Sequence, residues 1–152
     1  MEKIIIGNDH AGVDLKFEIK KYIEELGYEV INVGVDDELS SDYPKISYEV
    51  CKKLQKENAK CAVIICGSGI GVSIVANKMK NIRAACVSDP LSSRLSRQHN
   101  NANVICFGAR IIGVETAKEI VKEFLTNEFI GGRHEKRVLQ IAELEENGHI
   151  NG

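Results

Sequence analysis

The sequence predicts an α/β protein: a three-layer α/β/α sandwich around a five-stranded parallel sheet, Rossmann-like, with an extra helix at the carboxyl end. Three observations carry this expectation. Short apolar runs alternate with longer segments of helical period. The run CAVIIC at 61–66 is apolar without a break, as a strand covered on both faces must be. Gly27, Pro44, Pro90 and Gly131-Gly132 fall at junctions between the two kinds of segment.

Residues 3–6 (KIII) read as a first buried strand. A helix is expected over 12–26, where Leu15, Ile19, Tyr22, Ile23 and Leu26 form one stripe and Gly27 stops it. Residues 29–33 form a second strand, followed by a polar loop rich in Asp and Ser. Pro44 suits the first turn of the next helix, whose apolar face is Ile46, Val50 and Leu54. The third strand, 61–66, runs into a glycine loop and a helix over 67–79. A fourth strand at 83–87 meets Asp89-Pro90, which opens another helix. A fifth at 103–107 precedes a helix at 114–125, and Gly131-Gly132 breaks the chain before a charged helix at 133–146. No repeat, linker or low-complexity segment divides the chain, so 1–152 is expected to be one domain. Strand order is not readable from the pattern. Ligands of open parallel sheets bind outside the carboxyl ends of the strands, which directs attention to the turns after Ile6, Cys66, Val87 and Phe107.

Composition narrows the function classes. A formal charge of −2 argues against a nucleic-acid or anionic-membrane surface, since both demand a basic excess. No apolar stretch approaches the roughly 20 residues of a bilayer span, and the opening MEKIIIGND is too short in apolar residues for a secretory signal. A cytoplasmic location is expected. Five cysteines with no CxxC pair fit reduced thiols, not a disulfide framework or a zinc site. Cys61, Cys86 and Cys106 read as packed strand residues.

The chemistry-bearing segments lie at the expected turns. CGSGIG, 66–71, has three glycines at alternate positions before a helix start, so its backbone can approach an anion, either a phosphate or a developing oxyanion. The same glycines also permit a merely tight turn. No Gly-Lys-Ser/Thr follows, which removes a P-loop, and Val72 breaks a dinucleotide fingerprint although Asp89 lies about twenty residues on. Cys66 precedes a helix start, where the dipole favours thiolate and poises a base or nucleophile. Asp9 and His10 follow the first strand; Asp9 is equally placed to cap the next helix. His99 sits at a helix end, where a histidine is also a favourable dipole partner. Arg133 and Arg137, spaced i, i+4, present two guanidinium forks on one face, and Arg110 follows the fifth strand. His134 and His149 read as surface residues. No His or Cys set has metal-ligand spacing.

Together, NDHAG, SDYP, CGSGIGVSIVANK, LSRQHNNANV, FGARIIG and GGRHEKRV make the chain resemble, along nearly its whole length, the ribose-5-phosphate isomerase type B family. That family also holds allose-6-phosphate and galactose-6-phosphate isomerases. The resemblance implies a metal-free, cofactor-free aldose–ketose isomerase with Cys66 as the proton-transferring base. It implies that the backbone of Gly67, Ser68, Gly69, Ile70 and Gly71 holds the enediolate, and that Asp9 and the Ser68 hydroxyl contact the reacting end. His99 is then the ring-opening acid with Asn100 beside it. His10, Arg110, Arg133 and Arg137 hold the phosphate, and Tyr43 lines the sugar pocket. It further implies a homodimer with shared sites, His99, Asn100 and Arg110 coming from the other subunit; pairing of dimers into tetramers stays open. Ser68 stands where many relatives carry threonine, and Asn8 where serine or cysteine is usual. A six-carbon aldose phosphate substrate and a non-catalytic phosphosugar-binding module are the competing readings.

Overall fold

A computed structural model describes residues 1–37 and 39–151; Glu38 of the polar loop and Gly152, the last residue of the expected domain, lie outside the described residues. The chain runs β1 (Lys3–Asn8), a 3-10 turn (His10–Gly12), α1 (Val13–Glu25), β2 (Glu29–Asn32), α2 (Tyr43–Lys56), β3 (Cys61–Cys66) and α3 (Ile70–Ala76). It continues through β4 (Ala84–Cys86), α4 (Pro90–Asn100), β5 (Val104–Gly108), α5 (Val114–Thr126) and α6 (Arg133–Asn147). All four strand pairings are parallel, in the order β2-β1-β3-β5-β4.

Alternation along each strand divides the core into two layers, because successive side chains leave a strand on opposite faces. Ile4, Ile6, Val63, Ile65, Ile105 and Phe107 face Leu15 and Ile19 of α1 and Ile120 and Phe124 of α5. Ile5, Ala62, Ile64, Cys66 and Cys106 face Val50 and Leu54 of α2 and Val72 and Ala76 of α3. Both faces of β3 are thus covered, and every residue of CAVIIC is buried.

The topology fixes where a ligand can sit. From β1 the chain goes to β2 on one side and then crosses to β3 on the other, so a crevice opens between the carboxyl ends of β1 and β3. The Asp9 N–H donates to the Ile65 carbonyl at 3.1 Å and locks the two ends together.

Two expectations about cysteine and helix extent are corrected. Cys86 is exposed, because β4 is a three-residue edge strand and its end has no neighbour on the outer side. The helix after the glycine loop is seven residues long and begins at Ile70, four residues past Cys66, instead of at residue 67. Asn81, with φ of 64°, turns the chain toward β4 after it. Cys51 and Cys61 are buried so deeply that desolvation holds each thiol's pKa up at about 12.

Candidate active site

A cleft of about 560 Å³ at the crevice is lined by Asp9, Tyr43, Cys66, Gly67, Ser68, Ile70, Gly71 and Arg110, with Ile74 and Ile111 on its rim. Cys66 ends β3 on the α2/α3 face, 5% exposed. The Gly69 N–H donates to its Sγ at 3.1 Å, a contact suited to a sulfur carrying negative charge. Among the described residues, the N–H groups of Gly67, Ser68 and Gly71 meet no protein acceptor. They are free to donate to an anion in the cleft.

This loop is held by close approach on two sides. Gly69 has φ of 81°, and a Cβ there would lie 2.7 Å from the Phe107 backbone. A Cβ at Gly71 would run into the Tyr43 ring. The Ala109 and Arg110 N–H groups donate to the Cys66 and Gly67 carbonyls at 2.8 and 3.0 Å, which extends the pairing of β3 and β5 beyond the sheet. The Ser68 hydroxyl accepts from the Ile70 N–H at 3.2 Å. Arg110 enters the cleft from the same chain as Cys66, its Nη1 3.4 Å from where a Gly67 Cβ would stand. Arg110 stands there because the turn after β5 lies directly beside the turn after β3.

Asp9 is 7% exposed and accepts from the Ala11 N–H at 3.0 Å, so it caps the 3-10 turn and also reaches the cleft. His10 turns to the neighbouring loop, where its N–H and ring contact Ser41. Asn8 ties that loop down: its Nδ2 donates to the Asp9 and Val35 carbonyls at 2.8 and 3.0 Å.

A feature the sequence reading passed over is Lys16 of α1. Its ammonium is fully buried and donates to the Val35 carbonyl at 2.7 Å, to Asn32 Oδ1, and to the Asp36 carboxylate. Beside it, and beside Asn32, the Asp36 carboxyl is held below its ordinary range. Helical period offered the signal: position 16 lies three from buried Val13 and three from buried Ile19.

The remaining candidates lie elsewhere. A helix that follows a parallel strand runs back, so α4 returns from the carboxyl end of β4 to the amino end of β5 and carries His99 and Asn100 with it. The Ala62 N–H donates to the Asn103 carbonyl there. At about 3.3 Å per strand residue, the climb from Ala62 to Cys66 alone is roughly 13 Å. His99 meets α6 at this far end, together with Arg133 and Arg137. His134 is corrected from surface residue to buried: it is 8% exposed, and its ring lies 4.1 Å from that of His99. The site residues thus fall into two groups at opposite ends of the sheet.

Comparison with known proteins matches the geometry to one family. A family model described as Ribose/Galactose Isomerase matches residues 4–141. Ribose-5-phosphate isomerase B of Escherichia coli is 43% identical over 146 residues, covering 96% of this chain and 98% of the relative. D-erythrulose-4-phosphate isomerase of Pectobacterium atrosepticum is 39% identical, covering 95% and 96%. The solved ribose-5-phosphate isomerase B of Clostridium thermocellum superposes with a TM-score of 0.93 at 42% identity, covering 96% of this chain and 99% of that one. With the Cys66 cleft at the β1/β3 crevice and a full-length match in sequence and fold, the chain belongs to the ribose/galactose isomerase family.

Proposed function

We propose that this chain is a ribose-5-phosphate isomerase of type B that interconverts D-ribose 5-phosphate and D-ribulose 5-phosphate through Cys66. The observation that carries the reading is the Cys66 sulfur at the mouth of a loop with free N–H groups, in one cleft with Asp9, Ser68, Tyr43 and Arg110. Aldose–ketose exchange moves a proton between the two carbons at the carbonyl end. Cys66 as thiolate takes the C2 proton of the open-chain aldose and returns it at C1. The N–H groups of the Cys66–Gly71 loop stabilise the enediolate oxygens, a contribution of about 10²–10³-fold per donor, and Asp9 and Ser68 relay protons between those oxygens. No electron leaves the substrate, so proton transfer suffices.

The separation of the two residue groups supports a shared site in a homodimer. A second copy related by a two-fold axis brings the His99, Asn100, Arg133 and Arg137 end of one chain over the Cys66 cleft of the other, twice. The exposed Ile70, Ile74 and Ile111 at the cleft rim are the apolar surface such a contact buries. His99 then donates to the ring oxygen, and Arg133, Arg137, Arg110 and His10 take the phosphate. Among the described residues no helix is long and apolar enough to cross a membrane; the reading places the whole chain, as one catalytic domain, in the cytoplasm.

The test is turnover in D2O without added metal. Ribose 5-phosphate should yield ribulose 5-phosphate deuterated at C1, with kcat/KM above that for erythrose 4-phosphate, allose 6-phosphate and galactose 6-phosphate. A higher value for a six-carbon substrate overturns the substrate assignment. A thermal shift with sugar phosphates but no deuterium on carbon overturns the enzyme.

A further inference from the structure

The last turn of α4 and the first turn of α6 meet through two imidazoles. The rings of His99 and His134 stack with centroids 4.1 Å apart and planes 8° from parallel. The connection between α5 and α6 is fastened to the same turn: the Ile130 N–H donates to the Gln98 carbonyl at 3.1 Å, and the Gln98 amide donates to Asn127 Oδ1 at 3.1 Å. His134 is buried where α6 packs on α4, whereas His99 is half-buried.

We propose that His134 is a positioning residue for His99: the stack fixes which ring edge faces the sugar, and the two imidazoles carry one shared proton, taken up as the substrate's phosphate reaches Arg133 and Arg137. The proposal rests on the isomerase reading and deepens it. The charged and titratable groups facing His134 are His99 from α4 and Arg133 and Arg137 from α6. Desolvation first, then these three groups, hold His134 below the usual histidine range. Two imidazolium rings at stacking distance repel, so the pair does not hold two protons. A phosphate dianion on the arginines cancels their field, and the pair then protonates from solvent. In ring opening the C1–O4 bond breaks with its electrons on O4, which takes the proton from His99, while the O1 hydroxyl releases one to the relay.

The two substrates separate this role from the base. Ribulose 5-phosphate stays open-chain, since the hydroxyl that would close its furanose carries the phosphate. In His134→Leu, the aldose-to-ketose kcat should fall at least tenfold while deuterium exchange at C1 of ribulose 5-phosphate stays within twofold of wild type. That exchange also reports an intact fold. His134→Phe keeps a flat ring and should retain the aldose rate within threefold. By NMR titration, inorganic phosphate should raise the His134 midpoint in the wild type, because it offsets the Arg133 and Arg137 charges that help to lower it. A His134→Leu variant with the wild-type aldose rate, rates that fall together in both directions, or a Phe variant as impaired as Leu overturns the proposal. Absence of ketose exchange in the wild type overturns the isomerase reading itself.

Discussion

Replacing Cys66 separates what the sulfur does for the fold from what it does for the chemistry. In Cys66→Ala the buried Gly69 N–H loses the Sγ it reaches at 3.1 Å. An orphaned buried donor costs about 1–3 kcal/mol, and at about 2–4 °C per kcal/mol for a chain of this size Tm should fall by roughly 2–12 °C. Loss of a positioned base costs about 10²–10⁴ in kcat. Cys66→Ser restores an acceptor for the Gly69 N–H but replaces the thiol with a hydroxyl, a far weaker acid. Serine should therefore recover most of the lost Tm and none of the lost exchange. Calorimetry gives the first quantity; deuterium wash-in at C1 of ribulose 5-phosphate, followed by proton NMR, gives the second. Alanine retaining exchange within tenfold of wild type refutes the base role. Serine as unstable as alanine refutes the contribution of the Gly69 bond.

Four further outcomes are expected. Gly69→Ala should cost about 3 kcal/mol or more by urea unfolding, since positive φ costs about 1–2 and the new Cβ meets the Phe107 backbone; Gly27→Ala, at φ of 99° in open space, should cost only the first part. Lys16→Met should be nearly neutral in stability, because the Asp36 it abandons is solvated, whereas Asp36→Ala leaves a buried ammonium short of a partner and should cost about 1–3 kcal/mol by the same method. Cys66→Ala and Arg133→Ala/Arg137→Ala chains, each inactive, should regain roughly a quarter of wild-type activity when unfolded and refolded together, as a two-fold dimer with shared sites requires. Desolvation, His99 and the two arginines hold His134 below its unfolded value, so its contribution to stability is complete above about 6.5 and is lost as pH falls from there through the depressed folded value; the urea midpoint of His134→Phe should depend less on pH between about 7 and 5 than that of the wild type.

The sequence exposed what local pattern governs. Apolar runs located all five strands, and the turns they define contain Asp9, Cys66 and Arg110, which the structure brings into one cleft. Insertion of β5 between β3 and β4 was not legible, because pairing between Ala62 and Val104 is a long-range contact that neither segment announces. Cys86 read as packed because its run resembles a central strand, yet only its edge position decides its exposure. His134 lies among charged residues of α6, and its burial comes from α4, far away in sequence. Lys16 was overlooked because lysine reads as solvated, although its helical phase was that of the core.

The return path of α4 has a consequence for how this protein behaves on dilution. Side-chain motion does not carry His99 along the whole length of β3, so on the proposed shared-site reading one copy alone has its proposed acid and base on separate ends of the molecule. Activity per milligram should therefore fade as the solution is thinned, while the fold of each copy stays intact. Far below the dimer dissociation constant the rate should climb with the square of the amount added, making catalysis a gauge of how crowded the copies are.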